Sequence, residues 1–148
     1  MIQWTQWCKF TVPGDPIPKA RARSFRTATG IAHYTPQRTK QYERDIQTLA
    51  AQYARNKPPP KTPIRLTVIA IFKRPKYLQK KSSPVGLVPH CVRPDLDNVL
   101  KAVKDSLNGI LYEDDGQVCS IRAECFYAEK LHNHARTEII IHKPMEVT

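Results

Sequence analysis

The chain has 148 residues, 41% of them hydrophobic, and its 24 lysines and arginines against 13 acids give a formal net charge of +11. That length and apolar content suit a single domain, residues 1–148, with a real core. No run of about twenty apolar residues exists to cross a bilayer, and the basic residues fall in Pro-broken stretches rather than along one amphipathic helix, so a membrane partner is disfavoured. The excess charge points instead to a polyanion, because lysines and arginines that neutralise phosphates release counterions and gain affinity.

Along the chain, Trp7 to Val12 alternates, with Cys8, Phe10 and Val12 on one face, the two-residue period of a half-buried strand. Pro13-Gly14 stops it, and the Pro, Gly, Thr and Arg content up to about residue 35 reads as an irregular basic loop carrying Lys19, Arg21, Arg23 and Arg26. Thr35 followed by Pro36 has the form of an N-cap with proline at the first helical position. Tyr42, Ile46, Leu49, Ala50 and Tyr53 then recur at helical spacing up to about Arg55, where KPPPKTP ends the element.

Ile64 to Phe72 is apolar at nearly every position and rich in β-branched residues, so it reads as a central strand covered on both faces. Residues 73–92 form a second basic loop; the part from Lys73 to His90 shows little periodicity and includes Lys73, Arg74, Lys76, Lys80 and Lys81. Leu96, Val99, Leu100, Val103 and Leu107 make a helical stripe closed by Asn108-Gly109. Gln117 to Tyr127 alternates, and Arg136 to His142 reads as a last strand. The order predicts a mixed sheet of about four strands packed with two main helices, an α/β domain on the α+β border.

Charge is unevenly distributed: residues 1 to 94 hold 18 bases and 3 acids, residues 95 to 148 hold 6 bases and 10 acids. Asp95, Asp97, Asp105, Glu113, Asp114 and Asp115 concentrate in RPDLDNVLKAVKDSLNGILYEDDGQV, from Arg93 to Val118. Each has an ordinary structural reading. Asp95 can cap the second helix, Asp97 suits its positive end, and Asp114-Asp115-Gly116 suits a turn into the next strand. Together they allow another: if that turn returns to the helix N-terminus, Asp114 or Asp115 joins Asp95 and Asp97, and such a cluster needs a cation to offset mutual repulsion. Hard oxygen ligands of this kind suit Mg²⁺ or Mn²⁺. Lys101, one helical turn after Asp97, is either a surface ion pair or a cation beside the metal that stabilises charge on a phosphate.

The same stretch resembles the core of the RusA family of Holliday junction resolvases. The pattern D-x-D-N, a lysine one turn later, a helix and then D-D-x-Q-V is met by Asp95, Asp97, Asn98, Lys101, Asp114, Asp115, Gln117 and Val118. PKARARSFRTATGIAHYTPQRTKQYE is similar to the family's amino-terminal half, so the resemblance covers most of the chain. It implies a small endonuclease, often encoded by phages or prophages, that resolves four-way DNA junctions by paired hydrolysis dependent on Mg²⁺, with Mn²⁺ as a substitute, and acts as a homodimer. It implies Asp95, Asp97 and Asp115 as catalytic metal ligands, Asp114 as a supporting acid and Lys101 beside the scissile phosphate. DNA contacts are then expected from Lys19, Arg21, Arg23, Arg26, Lys73, Arg74, Lys76, Lys80, Lys81 and Arg93. The rival readings are a non-catalytic branched-DNA-binding module whose acids only cap and turn, and a nuclease acting on forks or flaps.

Other motifs promise less. Cys8, Cys91, Cys119 and Cys125 contain no CxxC pair, and Met1 to Trp7 lacks the basic start and apolar run of a secretory signal, so reduced thiols in a cytoplasm are expected. His90-Cys91 lacks the partner spacing of a zinc site, Cys8 and Cys125 read as small core residues, and His132-Asn133-His134 reads as a polar hairpin turn.

Overall fold

In a computed structural model that describes residues 2–20, 23–34 and 36–145, seven strands and two α-helices form. In chain order these are β1 (Trp4–Pro13), β2 (Arg23–Thr27), β3 (Gly30–Tyr34), α1 (Gln37–Ala51), β4 (Ile64–Phe72), β5 (Val88–Pro89), α2 (Leu96–Leu107), β6 (Val118–Tyr127) and β7 (Arg136–Pro144). Five strands make one mixed sheet in the order β1-β7-β4-β6-β5, and β2 and β3 pair separately. β4 is central because its Val and Ile content suits a strand flanked on both sides: it runs antiparallel to β7 and parallel to β6. With both helices against one face of the sheet, the chain is a single α+β domain, as the order of periodicities implies.

Alternation along the strands sorts the core. Ile64, Leu66 and Val68 of β4, Ile139 and Ile141 of β7, and Cys8, Phe10 and Val12 of β1 face the helices. They meet Tyr42, Ile46 and Ala50 of α1 and Ala102, Val103 and Leu107 of α2, all buried. The buried Tyr42 hydroxyl shares a hydrogen bond with Thr137 Oγ1 at 2.6 Å, so its polar end is satisfied inside the core. The opposite face of β4 is less fully covered than the apolar run suggests. Thr67 and Ile71 are buried, whereas Arg65 and Ile69 are only half-buried.

Several expectations need correction. The first basic loop contains the β2–β3 hairpin, whose two-residue connection, Ala28-Thr29, ends at Gly30 with a positive φ of 149°. That conformation suits glycine, and the Thr27 hydroxyl donates to the Gly30 carbonyl at 3.1 Å. The loop after β4 is ordered, with a short helical turn at Lys76–Leu78 and then β5 on the sheet edge. His132-Asn133-His134 is not a hairpin, because β4 lies between β6 and β7 and the connection must cross it. Thr35 lies outside the described residues; α1 begins at Gln37 with no side-chain cap at Pro36 and ends at Ala51, earlier than expected. Among the described residues no helix is long and apolar enough to cross a membrane.

Candidate active site

Asp95 is the N-cap residue of α2, with an extended backbone (φ −69°, ψ 140°) and a carbonyl that accepts from the Val99 amide at 3.3 Å. Its side chain makes no capping hydrogen bond. Asp95 is exposed and lines a cavity of about 430 Å³ with His90, Cys91, Arg93, Pro94 and Cys125. Asp97, in the first turn, is also exposed, and among the described residues neither carboxylate has an ion pair or side-chain hydrogen bond. Carboxylates at a helix N-terminus gain from the dipole whatever their role. These two nevertheless keep all their oxygens available. Lys101, one turn along α2, is exposed and likewise without an ion pair.

His90 stacks on Phe72 with ring centroids 4.3 Å apart and contacts Cys125 Sγ through Nδ1 at 3.5 Å. Burial holds its imidazole below the ordinary histidine pKa and raises the Cys125 thiol to about 11, so both are neutral near pH 7. Cys125 is half-buried rather than a core residue, and Cys91 is exposed.

The second acidic group sits at the other end of α2. Asp114 accepts from the Gly116 amide at 3.1 Å, and Gln117 Oε1 accepts from the Asp114 and Glu113 amides, which is a capping box around a short helical turn. Gln117 Nε2 also donates to the Pro59 and Thr62 carbonyls, both at 3.1 Å, clamping the turn to the approach to β4. Tyr112 donates its hydroxyl to the Lys104 carbonyl at 3.1 Å; burial, then the nearby Asp115 and Asp105 carboxylates, raise its pKa. Asp115 is half-buried, and its buried Oδ1 has no hydrogen-bond partner among the described residues.

The expected return of this turn to the helix N-terminus is therefore corrected. Because β4 and β6 are parallel, the helix connecting them runs back against both, and its C-terminal end meets the start of β6. Lys104 stands seven residues from Asp97, about 10 Å along the axis, and the whole of α2 is about 18 Å long. Among the described residues no group of three or more His, Cys, Asp or Glu side chains is placed to hold a metal ion. One copy of the chain presents Asp95 and Asp97 at one end of α2 and Asp114 and Asp115 at the other.

The basic residues divide too. Lys73, Lys76, Lys80, Lys81, Arg93 and Arg26 are exposed, as a DNA surface requires. Lys19 is not free: its amide donates to the Asn98 carbonyl at 2.9 Å, and Nζ lies 2.6 Å from Glu43 and 3.4 Å from Asp105. Partial burial alone would lower its pKa, and the two carboxylates more than reverse that. Arg74 is buried, its guanidinium donating to the carbonyls of Ala128, Leu78 and Gly86, so it holds the loop instead of facing solvent. Arg21 and the side chain of Arg23 lie outside the described residues. Sequence reasoning gave Gln117 no structural role, although a glutamine three residues after an aspartate is the spacing of a capping box.

The chain matches the family model Endodeoxyribonuclease RusA over residues 13–142, which include both acidic groups, both helices and most of the sheet. It is 30% identical over 142 residues to the uncharacterized protein YqaN of Bacillus subtilis (strain 168), covering 90% of this chain and 94% of that one. With four of its five sheet strands, both helices and the D-x-D-N and D-D-x-Q-V stretches wholly or largely inside that match, the chain belongs to the RusA family of endodeoxyribonucleases.

Proposed function

We propose that the protein is a structure-selective endonuclease that resolves four-way DNA junctions by paired, Mg²⁺-dependent hydrolysis, working in the cytoplasm as a homodimer. The observation that carries the reading is the pair Asp95 and Asp97: exposed, free of protein partners among the described residues and one turn from Lys101, in a chain of the RusA family. A helix cap would use the Asp95 side chain, and it is not so used.

Asp95, Asp97 and Asp115 supply the hard oxygen donors that Mg²⁺ or Mn²⁺ prefers. The orphaned Oδ1 of Asp115 fits a ligand role, whereas Asp114 uses its carboxylate as a cap and supports the turn. A metal bound there lowers the pKa of a water and offsets charge on the phosphate. Lys101 contributes a fixed positive charge to the same phosphate. The length of α2 between Asp97 and Asp115 argues for sites shared between two copies, Asp95 and Asp97 from one and Asp115 from the other. A two-fold dimer then carries two such sites, which matches a substrate cut on two strands. Lys73, Lys76, Lys80, Lys81, Arg93 and Arg26 offset repulsion between the acidic sites and DNA.

The test is incubation of the protein and Asp97→Asn with a labelled four-way junction, a fork, a flap and a linear duplex, with and without Mg²⁺. Symmetric junction nicks that need Mg²⁺ and vanish in the amide variant, with binding retained, are expected. Tight binding without cleavage under Mg²⁺ or Mn²⁺ would overturn the enzyme reading in favour of a binding module, and preferred cleavage of forks or flaps would move the substrate.

A further inference from the structure

Arg65, Arg122 and His142 share a cavity of about 560 Å³, walled in part by Trp4, Thr67 and Met145. Strand register brings them together. Arg65 of β4 stands opposite His142 of β7, and Thr67 of β4 opposite Arg122 of β6. Since Leu66 and Val68 point at the helices, their alternating neighbours project to the other side of the sheet. The cavity therefore lies away from both helices and away from Asp95 and Asp97.

The site is built rather than incidental. The Arg65 guanidinium is fixed by an Nε–H donated to Ser120 Oγ at 3.0 Å and by the Trp4 ring, whose centroid lies 4.8 Å from Cζ. His142 Nδ1 is buried with no hydrogen-bond partner among the described residues, a rare state for a native polar atom. Among the described residues, none that lines the cavity is acidic and neither arginine has an ion pair. Burial first, then the positive charges of Arg65 and Arg122, hold the His142 pKa below its ordinary value.

We propose that this cavity binds a phosphate group, with Arg65 and Arg122 as its charged donors and His142 Nδ1 as a further polar contact. Two guanidinium forks match the several oxygens of a phosphate better than a single ammonium would. The favoured source is the DNA backbone, an assignment that rests on the reading under Proposed function. Arg65 is the second residue of β4 and Ser120 the third of β6, so the cavity opens at the end of the sheet where the Asp115 turn enters. Ser120 is five residues on from Asp115, at most about 17 Å of extended chain. That span corresponds to about five base pairs, so DNA cut beside Asp115 passes within reach.

The test uses Arg122→Gln, since Arg122 is exposed and its loss removes no contact of the core. Unchanged melting confirms the fold. Junction affinity is measured by anisotropy at several salt concentrations, and tryptophan emission is followed on addition of junction or inorganic phosphate, with Trp4→Phe identifying the Trp4 signal. The expected result is a junction affinity about 5- to 10-fold weaker and a salt slope lower by about 0.9, one phosphate contact. A saturable Trp4 response to inorganic phosphate that Arg122→Gln abolishes, with junction affinity unchanged, would support the site with a free anion as its ligand. No response of either kind overturns the proposal. Loss of junction affinity in Arg122→Gln alongside a wild-type protein that never cleaves would sink the nuclease reading and leave this site standing.

Discussion

Arg74 Nε donates to the carbonyl of Ala128 at 2.6 Å, joining the residue two past the end of β4 to the residue just past β6. Two further bonds, to Leu78 at 2.9 Å and Gly86 at 2.5 Å, make this one guanidinium the hub of the loop. Replacing it by methionine keeps much of the volume and leaves three carbonyls without their donor. At about 1 kcal/mol for each, the loss of stability is about 3 kcal/mol. In a chain of this size that lowers the melting temperature by about 10 °C. Calorimetry measures it, and limited proteolysis should show new cleavage in residues 75–87. A melting temperature within error of wild type would show that the loop is held some other way.

Lys19 and the exposed lysines of the 73–92 loop should behave differently, although sequence alone treats them as equals. Lys76→Gln, Lys80→Gln and Lys81→Gln should each leave stability unchanged, and each one that contacts a phosphate lowers the salt slope of junction binding by about 0.9. Lys19→Gln should leave that slope alone and cost about 0.5 to 1 kcal/mol, because its pairs with Glu43 and Asp105 are partly exposed. Parallel salt titrations and urea melts distinguish the two groups, and a lower salt slope for Lys19→Gln would return it to the DNA surface.

The contrast separates features that are legible in the sequence from those that are not. Periodicity reports burial of regular elements, so Tyr42, Ile46 and Ala50 on α1 and Val99, Val103 and Leu107 on α2 are marked by their spacing alone. Composition reports charge but not its partner: Lys19 and Arg74 differ from Lys76 only through contacts with residues 24 and 54 positions away in sequence. The β2–β3 hairpin is hidden because Arg, Ser and Thr make up four of the five residues of β2, and its one turn signal is Gly30. Asp95, Asp97, Asp114 and Asp115 are identifiable by spacing, yet their separation depends on β4 and β6 being parallel, which no local pattern encodes. Arg65 and Arg122 carry no sequence signal for a similar reason, since only strand register makes them neighbours of His142.

His142 makes stability depend on pH in a definite direction. Its folded pKa lies below 6.5, lowered first by burial and then by Arg65 and Arg122, so the folded state favours the neutral ring. The unfolded chain binds the proton first as pH falls. The contribution is therefore fully present above about pH 6.5 and is lost as pH falls through the lower folded value. His90, also lowered by burial, acts in the same sense. Melting temperature should fall between pH 7 and pH 5, and His142→Gln should flatten that slope in part. A slope of opposite sign would mean that an acidic partner, not two arginines, dominates the ring's surroundings.

The separation of Asp97 from Asp115 along α2 gives the most discriminating prediction for the acids. Asp97→Asn and Asp115→Asn should each lower junction cleavage by about 100-fold or more while leaving binding intact, since each removes a charged ligand and keeps its shape. If every site takes Asp95 and Asp97 from one copy and Asp115 from the other, mixing the two inactive proteins restores activity. In the mixed dimer both substitutions fall in the same site, and the second site is intact. An equal mixture after subunit exchange is half mixed dimers, so about a quarter of wild-type sites return, delivering one nick per junction instead of two. If each chain built its own site, the mixture would stay as inactive as its parts. Recovery of single nicks therefore supports the shared site, and persistent inactivity after exchange has been verified by mass spectrometry rejects it.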